Sequence, residues 1–226
     1  MTFSPQAQGS AAAVPAVRRL PADQRREQLL DVALRLFAGR GFASTTMDDI
    51  ASAAGVTKPL LYQHFDSKRA LYLELVDSVA HDMLVAINEA TSHASGPRQQ
   101  VEAGFAAYFE LVVTHQDAFR LLFGSDVPDD PELSAALRRV EDTVAEAVGP
   151  LIDAGLDAEH RRLIAYAVVG MATGASRHWL ASGGGPSSGT QSDGTGERPP
   201  EELEAERLAR RVADLAWAGL RSVHRD

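Results

Sequence analysis

The run from Thr45 to Phe65 limits what this chain can fold into more than any other stretch. Gly55 falls where one short helix must stop and the chain must turn, a position that often needs the positive φ glycine adopts freely. Upstream, Thr46 has the character of an N-cap. Asp49, three residues on, can close a capping box and oppose the helix dipole. Ile50, Ala51 and Ala54 then share one helical face. Downstream, Thr57 is placed to cap a second helix, and Pro59 lies in its first turn, where a missing N–H costs nothing. Leu61 and Phe65, four apart, make the inward face, and Lys58, Pro59, Leu60, Tyr62, Gln63 and His64 are left to face outward. Helix, glycine turn, and a helix with a polar and basic outer face is the pattern of a helix-turn-helix, whose second helix enters the major groove.

Helical spacing recurs through the 226 residues, whereas strand-like alternation is hard to find, so the expected class is all-α with about nine helices. The absence of cysteine excludes disulfides, thiolate metal sites and cysteine nucleophiles. No run reaches the ~18 apolar residues of a membrane span and no signal-like segment opens the chain, so a soluble cytoplasmic protein is expected. The net charge of −9 is divided unevenly: residues 1–69 hold nine Lys or Arg against six Asp or Glu (+3), and residues 70–226 thirteen against twenty-five (−12). Positive charge is thus concentrated around the helix-turn-helix, with an acidic body standing away from phosphates.

Residues 1–21 have no period and read as a disordered tail. Asp23 is placed to cap a helix from about Gln24 to Arg40, with Leu29, Val32, Ala33, Leu36 and Phe37 inward and Gly39/Gly41 ending it. Packed behind the helix-turn-helix, it makes a three-helix unit over 22–67, with Arg25 and Arg26 as candidate phosphate contacts. Gly41-Phe42-Ala43-Ser44-Thr45-Thr46-Met47-Asp48-Asp49-Ile50-Ala51, then Ala54-Gly55-Val56-Thr57, then Leu61-Tyr62-Gln63-His64-Phe65-Asp66-Ser67-Lys68-Arg69-Ala70-Leu71, closely resembles the N-terminal domain of TetR-family transcriptional regulators. The resemblance covers roughly residues 24–75. It implies an all-helical homodimer with a variable C-terminal ligand-binding domain, most often a repressor released by a small molecule.

Carried over onto matching positions, the resemblance places Thr46 and its helix N-terminus against a phosphate. It sends Lys58, Pro59, Leu60, Gln63 and His64 to base edges or sugars. Tyr62 and His64 become phosphate-and-groove contacts, and Lys68 clamps the DNA backbone. Gln63 can pair bidentately with an adenine edge, and Leu60 or Pro59 can pack on a thymine methyl. Asp48 departs from the pattern, since a basic or polar residue there would suit a phosphate better. It is left to serve the helix dipole.

Residues 68–226 read as a ligand-binding and dimerisation domain. Ser67 caps a long helix from about Lys68 to Ala90, the lever between the two parts. Asp117 is placed to cap a short helix closed by Gly124, and Asp130-Pro131 opens one reaching about Asp153. Asp157 starts a helix through about Ala181, apolar or small from Leu163 to Ala175 with Gly170 and Gly174 four apart, and so expected to be buried on several sides. Residues 182–200 form a flexible loop whose Gly185-Pro186-Ser187-Ser188-Gly189 matches a nucleophile pattern without its strand–helix context. The last helix, about Glu201 to Val223, carries Leu208, Val212, Leu215, Ala216 and Leu220, and is expected to form a homodimer interface with the preceding helix. Small-molecule sites in strandless bundles lie between helices, and Met83, Phe105, Phe109, Phe119 and Tyr166 are the pocket candidates.

The reading is a DNA-binding regulator, a dimeric repressor on a palindromic double-stranded operator released by a small apolar or aromatic ligand. The alternative is a constitutive or partner-controlled regulator without an effector. Seven scattered histidines with no metal-ligand spacing and no nucleophile in context argue against an enzyme, a metal site or a cofactor.

Overall fold

A computed structural model describes residues 21–124, 129–152, 155–182 and 200–223, with side chains from 203 in the last segment. The tail expected over 1–21 lies outside the described residues apart from Pro21, and so do the loop over 183–199 and its Gly185–Gly189 pattern. Nine α-helices and no strand are found among the described residues: α1 (Ala22–Ser44), α2 (Met47–Ala53), α3 (Lys58–His64), α4 (Lys68–Ser92), α5 (Pro97–Thr114), α6 (Gln116–Phe123), α7 (Pro131–Val148), α8 (Ala158–Ala181) and α9 (Pro200–Leu220). None is long and apolar enough to cross a membrane.

Local chemistry sets most boundaries. Ser67 Oγ accepts from Ala70 N at the head of α4. Asp130 accepts from the Glu132 and Leu133 amides behind Pro131, and Asp157 from His160 N. Three expected caps differ. Pro21 rather than Asp23 precedes α1, Thr57 makes no side-chain cap bond, and His115 rather than Asp117 precedes α6, leaving Asp23 and Asp117 inside first turns where their charge still meets the dipole. Helix α1 runs past Arg40 to Ser44, but Gly41, at φ 75°, breaks it where a stop was expected. Helix α7 stops at Val148, because Pro150 carries the chain into a single 3-10 turn over Gly149–Leu151.

One continuous core joins the head to the body. Leu29, Ala33, Ile50 and Leu61 close it inside the three-helix unit, while Leu71, Leu75 and Val76 carry it along α4 into the bundle. Phe37, Phe42 and Tyr72 pack ring to ring at 5.1–5.8 Å, and the Tyr72 hydroxyl, pushed up to about 12 by burial, donates to Leu121 O of α6. Within the single chain, helix α8 buries one face and leaves another open: Leu163 is 67% exposed, and Ala167, Gly170 and Gly174 are also exposed. Helix α9 packs chiefly on α5, through a stripe of buried alanines (Ala205, Ala209, Ala213 and Ala216), and leaves Leu215 65% exposed. It also meets α8, where Trp179 Nε1 donates to a Glu204 carboxylate oxygen at 3.0 Å.

Candidate nucleic-acid interface and ligand cavity

The reading unit starts from a complete capping box. Asp49 N donates to Thr46 Oγ1 at 3.1 Å, and Thr46 N to Asp49 Oδ2 at 2.9 Å. The bonds from Thr46 hold the Asp49 carboxyl below its ordinary range. Gly55 turns the chain at φ 66°, and Val56 N closes the turn on Ala51 O at 2.9 Å. Helix α3 then buries Leu61 and Phe65. Lys58, Pro59, Tyr62 and Gln63 stand in solvent, and Leu60 and His64 are half-buried beside them. Thr46 is exposed at the head of α2.

The cations of this unit are more occupied than their residue types suggest. Lys58 Nζ donates to Asp48 Oδ2 at 2.8 Å, which pushes the Lys58 ammonium up. Thus Asp48 has a cationic partner besides the helix dipole. Lys68 Nζ donates to Phe42 O at 2.8 Å and Thr45 O at 2.9 Å and lies 4.2 Å from the Phe42 ring centroid, tying the end of α1 to the start of α4. One ammonium hydrogen remains for any DNA contact. Arg25 is buried and donates to Gln28. Arg26 binds both carboxylate oxygens of Glu74 on α4, donates to His64 O at 2.7 Å, and lies 4.4 Å from the Phe65 ring centroid. It joins α1, the end of α3 and α4 in one contact set. Apart from Arg25 and Gln28, three residues apart, none of these pairings carries a local sequence signal, since their partners are 10 to 48 residues away.

In the body, a cavity of about 330 Å³ lies among α4, α5, α7, α8 and the end of α9. Met83 and Phe105 are on its wall. Phe109 and Phe119 are not; they are fully buried in an aromatic cluster around Tyr108, with edge-on centroid distances of 5.2 Å. Tyr166 is not on the lining either: its hydroxyl donates to Asp142 at 2.6 Å on the α7–α8 surface. Sequence periodicity does not single out Trp217 and Leu220 of α9, or Arg221 just after it, as lining, because nothing local marks an inward residue as facing a void. Most of the wall is apolar, with Gln100, Glu141, Thr173 and Arg221 among its polar members. Tyr108 also reaches the wall. Its phenol, raised by burial, shares a 3.1 Å hydrogen bond with Ser176, whose single hydroxyl hydrogen is directed at Ala172 O. The phenol is therefore the donor, and its remaining capacity is to accept. Among the described residues, no cluster of His, Asp and Glu is arranged to hold a metal.

Residues 29–75 match the model of bacterial regulatory proteins, tetR family, and residues 101–192 match a tetracyclin repressor-like C-terminal domain. The transcriptional activator FasR of Mycolicibacterium smegmatis is 32% identical over 91% of this chain and 87% of its own length. The chain belongs to the TetR family. Other TetR-family relatives match over less of their length, such as the repressor KstR2 of Rhodococcus jostii, at 38% identity over 39% of this chain and 43% of that protein. A TetR-like regulator from Rhodococcus sp. RHA1 superposes with a TM-score of 0.70 at 25% identity, covering 91% of this chain and all of the other. The fold is also that of FadR from Bacillus subtilis, solved in complex with stearoyl-CoA, with a TM-score of 0.69 at 14% identity over 85% and 98% of the two chains. As a TetR-family chain with this helix-turn-helix, the protein is a DNA-binding transcriptional regulator.

Proposed function

We propose that this regulator acts as a homodimeric repressor, seating α3 of each subunit in the major groove of a palindromic operator and leaving it when an apolar molecule fills the cavity. The observation that carries the reading is the position of the cavity. Its wall includes Met83, Ile87 and Thr91 of α4, and α4 begins four residues after the reading helix ends. An occupant that spreads the body helices tilts α4 and changes the separation of two reading helices, which must sit ~34 Å apart or a multiple of it. Such a ligand must prefer the released form, since equal affinity for both forms shifts nothing. The largely apolar wall with a few polar groups suits a molecule with an apolar body and one polar end. FadR's complex with stearoyl-CoA supports a long-chain amphiphile as the first class to test. The open faces of α8 and α9, with Leu163, Gly170, Gly174 and Leu215 exposed, support pairing of subunits through these helices.

A second reading, activation rather than repression, is favoured by the extent of the match to FasR, which is named an activator. Reporter expression with and without the gene separates the two. For the cavity, melting temperature and operator retention are followed with stearoyl-CoA, stearate and a ketosteroid, on the natural protein and on Ala172→Phe, which fills the wall. A bound effector raises the melting temperature by mass action and lowers DNA retention, and Ala172→Phe loses both responses. An undiminished response in Ala172→Phe would place the effector elsewhere.

A further inference from the structure

Across residues 46–67 Lys58 is the only Lys or Arg, against Asp48, Asp49 and Asp66. The helix-turn-helix itself is therefore net acidic although Arg40, Lys68 and Arg69 flank it, and its one Lys is bound by a neighbour's carboxylate. The pair is not structural filler: Asp48 and Lys58 are 67% and 50% exposed, they come from different helices, and Asp48 makes no helix cap, a role Thr46 and Asp49 already fill. Asp48 lies in the first turn of α2, beside the helix N-terminus that would meet a phosphate.

We propose that Asp48 is a specificity-determining residue that holds Lys58 away from phosphates and keeps it aimed along the reading face of α3. This rests on α3 being the reading helix. On an arbitrary duplex, a phosphate contact by Lys58 exchanges one exposed ion pair for another and leaves Asp48 uncompensated beside the backbone, so the cation adds almost nothing to sequence-independent attraction. On the operator, the ammonium keeps one hydrogen on Asp48 and has two left for a guanine O6/N7 edge, a contact that exists only at the right base. Asp48 thus acts through Lys58 as a positioning residue.

The test begins with selection from a randomised duplex library by the natural protein. Fluorescence anisotropy then follows the selected and a scrambled duplex over a salt series, with Asp48→Asn, Lys58→Gln, the double variant and Asp48→Glu. Asp48→Asn should bind the scrambled duplex ~3–5-fold more tightly, with a salt slope steeper by about 0.9, while the selected duplex changes less than about twofold. Asp48→Glu, which keeps the carboxylate, should restore discrimination. In the Lys58→Gln background the same Asp48→Asn change should alter neither slope nor discrimination. Equal tightening on both duplexes in the natural background, or a loss of discrimination that survives in Lys58→Gln, would overturn the proposal and leave α3 as the reader. Failure of the natural protein to enrich any sequence would remove both readings together.

Discussion

Replacing Arg26 by alanine separates a structural tie from a DNA contact. The side chain makes a two-oxygen ion pair with Glu74, a charged hydrogen bond to His64 O and a cation–π contact with Phe65. Arg26 and Glu74 are 39% and 34% exposed, so solvent screening limits the pair to ~0.5–1 kcal/mol. The bond to the carbonyl that ends α3 adds ~1 kcal/mol, and the ring contact ~0.5–1 kcal/mol. These share one side chain and do not add fully, which leaves about 2 kcal/mol. For a chain of this size that lowers the melting temperature by roughly 4–8 °C, readable by differential scanning fluorimetry. DNA affinity falls on every sequence, because the end of the reading helix loses its tie to α4, but the salt slope stays where it was. A phosphate contact behaves in the opposite way, flattening the slope by about 0.9 with little change in melting temperature. That opposite pattern would refute the tie. Glu74→Gln should reproduce part of the loss, with a double-mutant coupling of ~0.5–1 kcal/mol.

Lys68→Met should lower the melting temperature, because the Phe42 and Thr45 carbonyls lose their ammonium donor; thermal unfolding of the full chain checks this. Gln63→Ala should relax choice at one base position by ~1–3 kcal/mol while retaining affinity for scrambled DNA, measured by selection from a randomised site. Thr46 lowers the Asp49 pKa, so the stabilisation is complete above the unfolded value of about 3.9 and is lost as pH falls through the lower folded value. The melting-temperature deficit of Asp49→Asn should therefore be largest near neutrality and shrink below about pH 4.

Features encoded between near neighbours were legible in the sequence. Thr46 and Asp49, the Gly55 turn, Ser67, Asp130-Pro131 and Asp157 each set a local backbone conformation, and the structure shows each in that role. Which outward cations are spoken for was not legible. Arg26 and Lys68 have the right residue type and position for phosphates, but their partners arrive from α3, α4 and the α1–α2 junction only after the helices pack. Aromatic spacing likewise marks the inward face of α5 and α6 without saying which rings meet rings and which meet empty space. Phe109 and Phe119 fill the centre, while Phe105 edges the cavity.

The alanine stripe of α9 has a mechanical consequence for that cavity. Side chains reduced to a methyl let two helix backbones lie close and leave few rotamers to rearrange, so α5 and α9 behave as one stiff plank. The opposite wall is different: α4 and α7 are joined to each other where Arg69, near the start of α4, grips Asp130 and Glu132 at the start of α7. In the proposed mechanism a molecule in the space meets a stiff wall on one side and these two linked helices on the other. Under the proposed release by ligand, α4 is the wall that moves, and it carries the helix-turn-helix with it.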